Sequence, residues 1–176
     1  LQQALTIARA RGDVRGEAIN LGNIGDIYRE ENQLEEAIKT YEQALAIARQ
    51  TGDKRGGGIN LGRLGDAYRG LKQYSKAVEY LQQALTIARE TADKRGEAIN
   101  LGRLGDTLRD QGEINAAIEH HQRGLALAQQ MDDKRGEGYG LADLAVDYGL
   151  LGETTKAADY FQKARAIFDG LSMTHI

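Results

Sequence analysis

The stretch Asp53-Lys-Arg-Gly-Gly-Gly-Ile-Asn-Leu-Gly decides the fold, because it returns along the chain every 40 residues. Close copies begin at Asp13 and Asp93, and a more divergent copy begins at Asp133. A fixed period of this length is typical of proteins built from stacked structural repeats. Stacked repeats form extended surfaces rather than enclosed pockets, so the sequence predicts a surface for binding rather than a site for catalysis.

Each copy contains two apolar stripes with the period of an α-helix. In the first half, Leu21, Ile24 and Tyr28 are three and four residues apart, a spacing that places them on one helix face. In the second half, a broader stripe runs over residues 34–48. The short polar links between the halves favour antiparallel neighbours. The pattern predicts an all-α chain of about nine helices, with one unpaired helix over residues 1–11 followed by four pairs.

The predicted helices have recognisable ends and unusual interiors. An aspartate precedes the first helix of every copy, where its carboxylate can cap free backbone amides, and Gly12 and Gly52 suit a left-handed turn just before it. Glycines inside the first helices each cost about 1 kcal/mol relative to alanine; they are Gly22, Gly25, Gly62, Gly65, Gly102 and Gly105. We expect close packing of helix on helix to offset this cost. A phosphate-binding loop would need a strand before the helix, which the pattern does not indicate.

Composition narrows the classes of function. The net charge of −3 gives no global attraction to nucleic acid or anionic lipid. Cysteine is absent, which excludes disulfides and thiolate chemistry and fits a reducing compartment. No apolar run approaches the length of a membrane span. We therefore expect a cytoplasmic protein without a membrane partner.

The histidines give no indication of a metal site. His120 and His121 are adjacent, so on a helix their side chains diverge by about 100°, whereas two ligands on one helix need a spacing of three or four residues. His121 shares its repeat position with Tyr41, Leu81 and Phe161, and we expect it to pack in the core; His175 lies near the end of the chain. No catalytic arrangement of side chains departs from the repeat pattern. We expect no metal, no cofactor and no enzymatic activity.

The repeated residues resemble the tetratricopeptide repeat. The resemblance rests on Leu-Gly-x-x-Tyr in the first helix and Ala-Ile-x-x-Tyr-x-x-Ala-Leu in the second, here Ile24, Gly25 and Tyr28 with Ala37, Ile38, Tyr41, Ala44 and Leu45. The long period and the missing proline are similar to the longer repeats of kinesin light chains, Pins-type spindle-orientation scaffolds and the C-terminal arrays of bacterial STAND signalling ATPases. The resemblance implies an α-α superhelix, or solenoid, of antiparallel helix pairs that spans residues 1–176 as one array.

The array divides into five parts on this interpretation. Residues 1–14 form the second helix of a truncated repeat, residues 15–54, 55–94 and 95–134 form full repeats, and residues 135–176 form a divergent terminal repeat. Because residues 1–10 match the second half of a repeat, the chain looks like a piece of a longer protein. The unpaired helix could also stack on another copy and form an oligomer.

The resemblance further implies that the first helices line a concave groove. The predicted ligand contacts are the side chains opposite the core stripe, namely Asn23, Asp26, Arg29, Arg63, Asp66, Arg69, Arg103, Asp106, Arg109, Tyr139, Val146 and Leu150. An apolar strip of Ile19, Ile59 and Ile99 lies beside them. Such a groove suits an extended peptide with alternating charge and an apolar anchor. Alternatively, Asp26 and Arg29 simply pair along their helix. Asn20, Asn60 and Asn100 are expected to hydrogen-bond between adjacent helices.

The sequence is compatible with three functions. The favoured function is a protein–protein interaction module that binds a protein or peptide segment in the groove. The alternative is an intramolecular sensor or regulatory array of a larger bacterial signalling ATPase, since near-identical copies are typical of bacterial arrays. A nucleic-acid binder that uses the arginines is the third, and the negative net charge and the scarcity of aromatic residues in the groove argue against it.

Overall fold

The computed structural model describes residues 2–173, and within this range the chain forms nine α-helices and no strands. The helices are α1 Gln2–Arg11, α2 Val14–Glu30, α3 Leu34–Thr51, α4 Lys54–Gly70, α5 Tyr74–Glu90, α6 Lys94–Asp110, α7 Ile114–Gln130, α8 Lys134–Leu150 and α9 Thr154–Met173. The predicted all-α class, the unpaired first helix and the four pairs are confirmed. Leu1 and His175 lie outside the described residues.

The helices belong to two compact units, residues 1–93 and residues 94–176. In the first unit, each of the helices α1 to α4 packs on the next, and α2 also contacts α4. In the second unit, each of the helices α6 to α8 packs on the next, and α6 also contacts α8. Within each unit, the first helices of consecutive repeats therefore lie side by side. The single array over residues 1–176 stays a prediction.

The helix ends follow from local chemistry. The carboxylates of Asp13, Asp53 and Asp133 accept hydrogen bonds of 2.8–2.9 Å from the backbone N–H three residues later, which confirms them as caps. Gly12 and Gly52 adopt φ of 67° and 69°, the left-handed conformation that closes the preceding helix. At the two equivalent turns, before α6 and α8, the chain places Ala92 and Asp132 in this conformation. In the turns between the two helices of a pair, the residues in this conformation are Asn32, Lys72, Gly112 and Gly152.

The core of the first three helix pairs depends on one interior glycine of the first helix. A Cβ added at Gly25, Gly65 or Gly105 would lie within 3.0 Å of a side chain from the second helix: Tyr41, Leu81 and His121 respectively. Those three side chains are at most 1% exposed. The missing Cβ thus lets a large side chain pack directly under the first helix, and the close-packing explanation is confirmed for these three glycines.

Two positions depart from the predicted packing. A Cβ at Gly102 would meet nothing within 4 Å, so close helix contact does not explain this glycine. Phe161 was expected in the core position of Tyr41, yet it is 60% exposed. The residue of α8 that matches Gly105 is the buried Ala145, and its Cβ takes up the space that the ring would need. The prediction was therefore wrong at both positions.

The glycine contact predicts opposite effects for two alanine substitutions in α4. Gly65→Ala should lower the free energy of unfolding by about 1–3 kcal/mol, because the Cβ overlaps the buried Leu81. Gly57→Ala should raise it by roughly 0.5–1 kcal/mol, because its Cβ makes ordinary contacts of 3.8–3.9 Å with Leu45 and Ala48. Urea denaturation of both variants measures the difference. Equal stabilisation of the two variants would contradict the packing explanation.

Candidate functional site

The predicted contact residues lie on the first helices of the pairs, three on each of α2, α4, α6 and α8. Asn23, Asp26 and the charged residues of α4 and α6 in this set are half-buried, whereas Arg29 is exposed. The apolar members on α8 are exposed, with 60% of Tyr139, 51% of Val146 and 59% of Leu150 open to solvent. Most of the charged residues therefore face neighbouring helices as well as water.

Asp26 joins three helices of the first unit. Its carboxylate accepts a hydrogen bond of 2.8 Å from the Tyr41 hydroxyl on α3 and one of 2.6 Å from the Arg63 guanidinium on α4. Arg63 also lies over the Tyr41 ring, 5.9 Å from its centroid. Burial raises the pKa of Tyr41, and so does its hydrogen bond to Asp26, so the hydroxyl stays protonated. Both carboxylate oxygens are thus engaged with other helices rather than with Arg29.

The buried asparagines make different hydrogen bonds from those expected. The Asn60 amide donates to the Gly56 carbonyl one turn earlier, over 2.9 Å, and its oxygen accepts a bond of 3.4 Å from Arg63. Asn100 accepts a bond of 3.3 Å from Arg103 in the same way. All of these partners belong to the asparagine's own helix, because its short side chain reaches the preceding turn more readily than the next helix. The predicted bonds between adjacent helices were wrong at these two positions.

His121 forms the centre of a charged network in the second unit. Its Nδ1 lies 2.6 Å from Asp147 Oδ2, and its Nε2 lies 3.1 Å from the Gly102 carbonyl oxygen and 3.7 Å from Asp106 Oδ1. A carboxylate and a carbonyl only accept hydrogen bonds, so both ring nitrogens act as donors, as in an imidazolium. The packing predicted for His121 is confirmed by its 1% exposure.

The surroundings of His121 favour its charged form. Burial acts to lower the pKa of His121, but the hydrogen bond to Asp147 and the charges of Asp143, Asp147 and Asp106 outweigh it and raise the pKa above the ordinary 6.5. Arg109 completes the network: it pairs with Asp106 on its own helix and donates over 3.2 Å to Asp147. The carboxylates of Asp106, Asp143 and Asp147 thus lie around the His121 ring and the Arg109 guanidinium.

Asp143 carries the weakest contact in this network. Its closest cationic group is Arg109, 3.7 Å away, which is beyond hydrogen-bond distance. Burial raises the pKa of Asp143, and the nearby charge of Asp106 adds to the rise. Among the residues that the structure describes, no donor hydrogen-bonds to this half-buried carboxylate.

A cavity of about 330 Å³ opens beside the network, between α6, α7 and α8. Asp106, His121 and Asp143 form its polar wall, and Gly102, Gly124 and Gly140 leave it open on the other sides. The ligand-type atoms of the three polar residues all lie within 4.8 Å of one another. A metal ion would need a lone pair on the His121 Nε2, which instead donates to the Gly102 carbonyl. The cavity is therefore better suited to a hydrogen-bond donor than to a metal.

Sequence reasoning missed Asp147, which is fully buried. The other copies have Ile27, Ala67 and Thr107 at this repeat position. A carboxylate at a position that is otherwise apolar or small was the feature of the sequence that could have indicated Asp147. The tertiary fold was needed to bring this position to His121 on the neighbouring helix.

Each unit also carries an apolar strip on its first helices. Ile19 and Ile59 in the first unit are 54% and 48% exposed, and Ile99 and Tyr139 in the second are 47% and 60% exposed. These four residues share one repeat position. No helix in the described part of the chain is both long enough and apolar enough to cross a bilayer.

Comparison with known proteins identifies the family. The model of the tetratricopeptide repeat matches residues 1–50, 59–130 and 97–169, so the chain belongs to the tetratricopeptide repeat family. Members of this family are typically scaffolds for protein–protein interaction without enzymatic activity. No curated protein sequence matches the chain.

Several solved structures share the fold. BtubC (BKLC) from P. vanneervenii has a TM-score of 0.77 and 18% identity over 90% of this chain and 66% of its own. A putative kinesin light chain from Podosopora anserina with nearly identical TPR-like repeats has a TM-score of 0.73 and 19% identity over 98% and 85%. A Rap protein complexed with Competence and Sporulation Factor has a TM-score of 0.77 and 20% identity over 89% and 43%. The chain thus spans less than half of that Rap protein, and these identities support the fold alone.

The raised pKa of His121 predicts a pH-dependent stability. Because the folded-state pKa lies above that of the unfolded chain, the contribution of His121 is complete below pH 6.5 and is lost as the pH rises through the folded-state value. His121→Leu, which copies Leu81 in the equivalent position, removes this titration. The free energy of unfolding of the native protein minus that of the variant should fall as the pH rises above 6.5.

Urea denaturation at a series of pH values measures this difference. His120 and His175 remain in both proteins, so their titration cancels. Parallel stability curves over this pH range would show that His121 is not held in its charged form.

Proposed function

We propose that the first helices bind an extended segment of a partner protein. Family membership supports a role as a scaffold for protein–protein interaction. We assign this interaction to the face of the first helices that carries the apolar strip. The Rap protein that shares the fold was solved in complex with Competence and Sporulation Factor. This complex supports the proposal that the present chain also binds a separate factor. We further propose that the chain has no catalytic activity of its own.

The observation that carries the proposal is the apolar strip of each unit, Ile19 with Ile59 in the first and Ile99 with Tyr139 in the second. About half of each side chain is exposed to water, where an aliphatic or aromatic group gains nothing from folding. Single exposed apolar residues are ordinary, but the same position is apolar in all four copies, which indicates a surface for a partner. Apolar anchors of a partner segment would cover this strip.

Charged residues flank the strip and would set the chemistry of the partner. Acidic and basic side chains alternate on the first helices, through Asp26, Asp66 and Asp106 beside Arg29, Arg69 and Arg109. On α8 the corresponding face carries the exposed Val146 and Leu150 instead. A segment with alternating charge and an apolar anchor would complement such a surface.

The structure changes how this proposal should be tested. Asp26, Arg63, Asp106 and Arg109 hold helices together, so reversing their charges would disturb the fold as well as the surface. Substitution of the exposed isoleucines avoids this difficulty. We expect the double variant Ile59→Lys with Ile99→Lys to remain folded and to lose binding.

The measurement uses peptides selected against the native protein from a display library of random sequences. Fluorescence anisotropy should give a Kd at least about tenfold higher for the double variant, which corresponds to a loss of about 1.4 kcal/mol or more. Phe161→Lys is the matched control, because Phe161 is 60% exposed but lies on the second helix α9. It should leave the Kd unchanged.

Two outcomes would contradict the proposal. Equal binding to the double variant and the native protein, with loss in Phe161→Lys, would assign the interaction to the second helices. Failure to select any peptide would contradict binding of an extended segment and favour a regulatory contact within a longer protein.

A further inference from the structure

We propose that the cavity beside His121 binds the guanidinium group of an arginine in the partner. The inference rests on the proposed function, because the cavity opens beside Ile99 and Tyr139 of the apolar strip. The inference names the chemical group of the partner that the second unit would recognise. The same place in the two units of the chain carries different side chains.

In the first unit a guanidinium already fills the equivalent place. Arg63 reaches from α4, donates to Asp26 and lies over Tyr41. A Cβ on Gly22 would collide with the Arg63 guanidinium, and the next atom it would meet is the amide oxygen of Asn60. Gly22, Asp26 and the Tyr41 ring thus form three sides of a site. The occupant of this site is the Arg63 guanidinium of the same chain.

In the second unit no residue of the described part of the chain occupies the same site. Shifting by two repeats replaces Gly22 with Gly102, Asp26 with Asp106, Tyr41 with His121 and Arg63 with Asp143. A Cβ on Gly102 would meet nothing within 4 Å, which shows that the volume filled by the guanidinium over Gly22 is open here.

Two further replacements enlarge the opening. Asn60 is replaced by Gly140 and Ala44 by Gly124, and both glycines line the cavity of about 330 Å³. The walls therefore lose side chains where the first unit is filled. The cavity remains in contact with the surface through Ile99 and Tyr139, both of which line it and are exposed.

The acidic side of the cavity suits a cation. The carboxylates of Asp106 and Asp143 both line it. Asp143 has no hydrogen-bond donor among residues 2–173 and faces the cavity, so it is the carboxylate that an incoming group would bind.

A guanidinium suits this site better than an ammonium or a metal ion. Its planar donors can bind one carboxylate in a bidentate manner, and it is weakly hydrated, which lowers the cost of entering a half-buried cavity. It is also the group that the first unit places there. A divalent metal would have to displace the proton on His121 Nε2 and compete with Arg109 for Asp106.

The test titrates the complete chain with N-acetyl-arginine methylamide and follows backbone amides by ¹H–¹⁵N NMR. Saturable shifts are expected at Gly102, Gly124 and Gly140. The matched citrulline derivative, which has a neutral urea in place of the guanidinium, should bind about tenfold more weakly or worse, because a charge-assisted pair is lost. Equal affinity for the two probes would overturn the proposal.

Three variants locate the binding. Asp143→Asn keeps the shape and removes the charge, and it should weaken the arginine probe about tenfold. Asp143→Arg supplies the chain's own guanidinium, as Arg63 does in the first unit, and should abolish binding. Asp159→Asn, on the exposed surface of α9, is the control and should leave the affinity unchanged. Unchanged affinity in both Asp143 variants would overturn the proposal.

Two more results distinguish this proposal from its alternatives. Shifts at the same amides with zinc chloride, and none with the arginine probe, would overturn it in favour of a metal site. Selected peptides that require Ile99 but bind Asp143→Asn as tightly as the native protein would overturn it and leave the proposed function intact. Binding of the arginine probe without any selectable peptide would support the cavity site and contradict the proposed function.

Discussion

The contact between an interior glycine of the first helix and a large side chain of the second helix is the constraint on which the rest of the structure depends. Gly25 over Tyr41, Gly65 over Leu81 and Gly105 over His121 are three versions of it. Each glycine costs about 1 kcal/mol in helix propensity, and burial of a complete large side chain, worth about 1.5–3 kcal/mol, offsets that cost. The contact also places the end of the second-helix side chain beside the first helix.

The identity of that side chain decides the electrostatics nearby. Leu81 brings no polar group, whereas Tyr41 brings one donor and meets one carboxylate, Asp26. His121 brings two donors and meets Asp147 and the Gly102 carbonyl. A fully buried carboxylate such as Asp147 is tolerable only when it is paired and hydrogen-bonded. Positions 121 and 147 therefore form one physical unit, because loss of either residue would remove the hydrogen bond between His121 Nδ1 and Asp147 Oδ2 from a buried polar atom of the other.

The fold could be predicted from the sequence to within a few residues, because it depends on spacing along the chain. The 40-residue period, the apolar stripes and the capping aspartates are local patterns, and the helices begin and end where those patterns do. The site was only partly predictable. The first-helix residues were placed on the correct elements, but their partners were not: Asp26 bonds to α3 and α4 rather than to Arg29, and Asn60 bonds within its own helix. The hydrogen-bond partner that each side chain takes depends on how far the side chain reaches across a contact between helices. The spacing of residues along one helix gives no information about that distance.

The same reasoning explains why the second unit carries the distinctive chemistry. Near-identical copies produce near-identical contacts, so a specialised site can arise only where a copy departs from the pattern. Around His121 the departures act together: Asp143 removes the internal cation, Gly124 and Gly140 remove the side chains that would fill its place, and Asp147 fixes the imidazole from the buried side. The first unit closes the corresponding volume with Arg63 and balances Asp26 internally. The second unit instead retains an open volume lined by the Asp143 carboxylate, to which no described residue donates a hydrogen bond. A cationic group from outside the chain would satisfy both conditions.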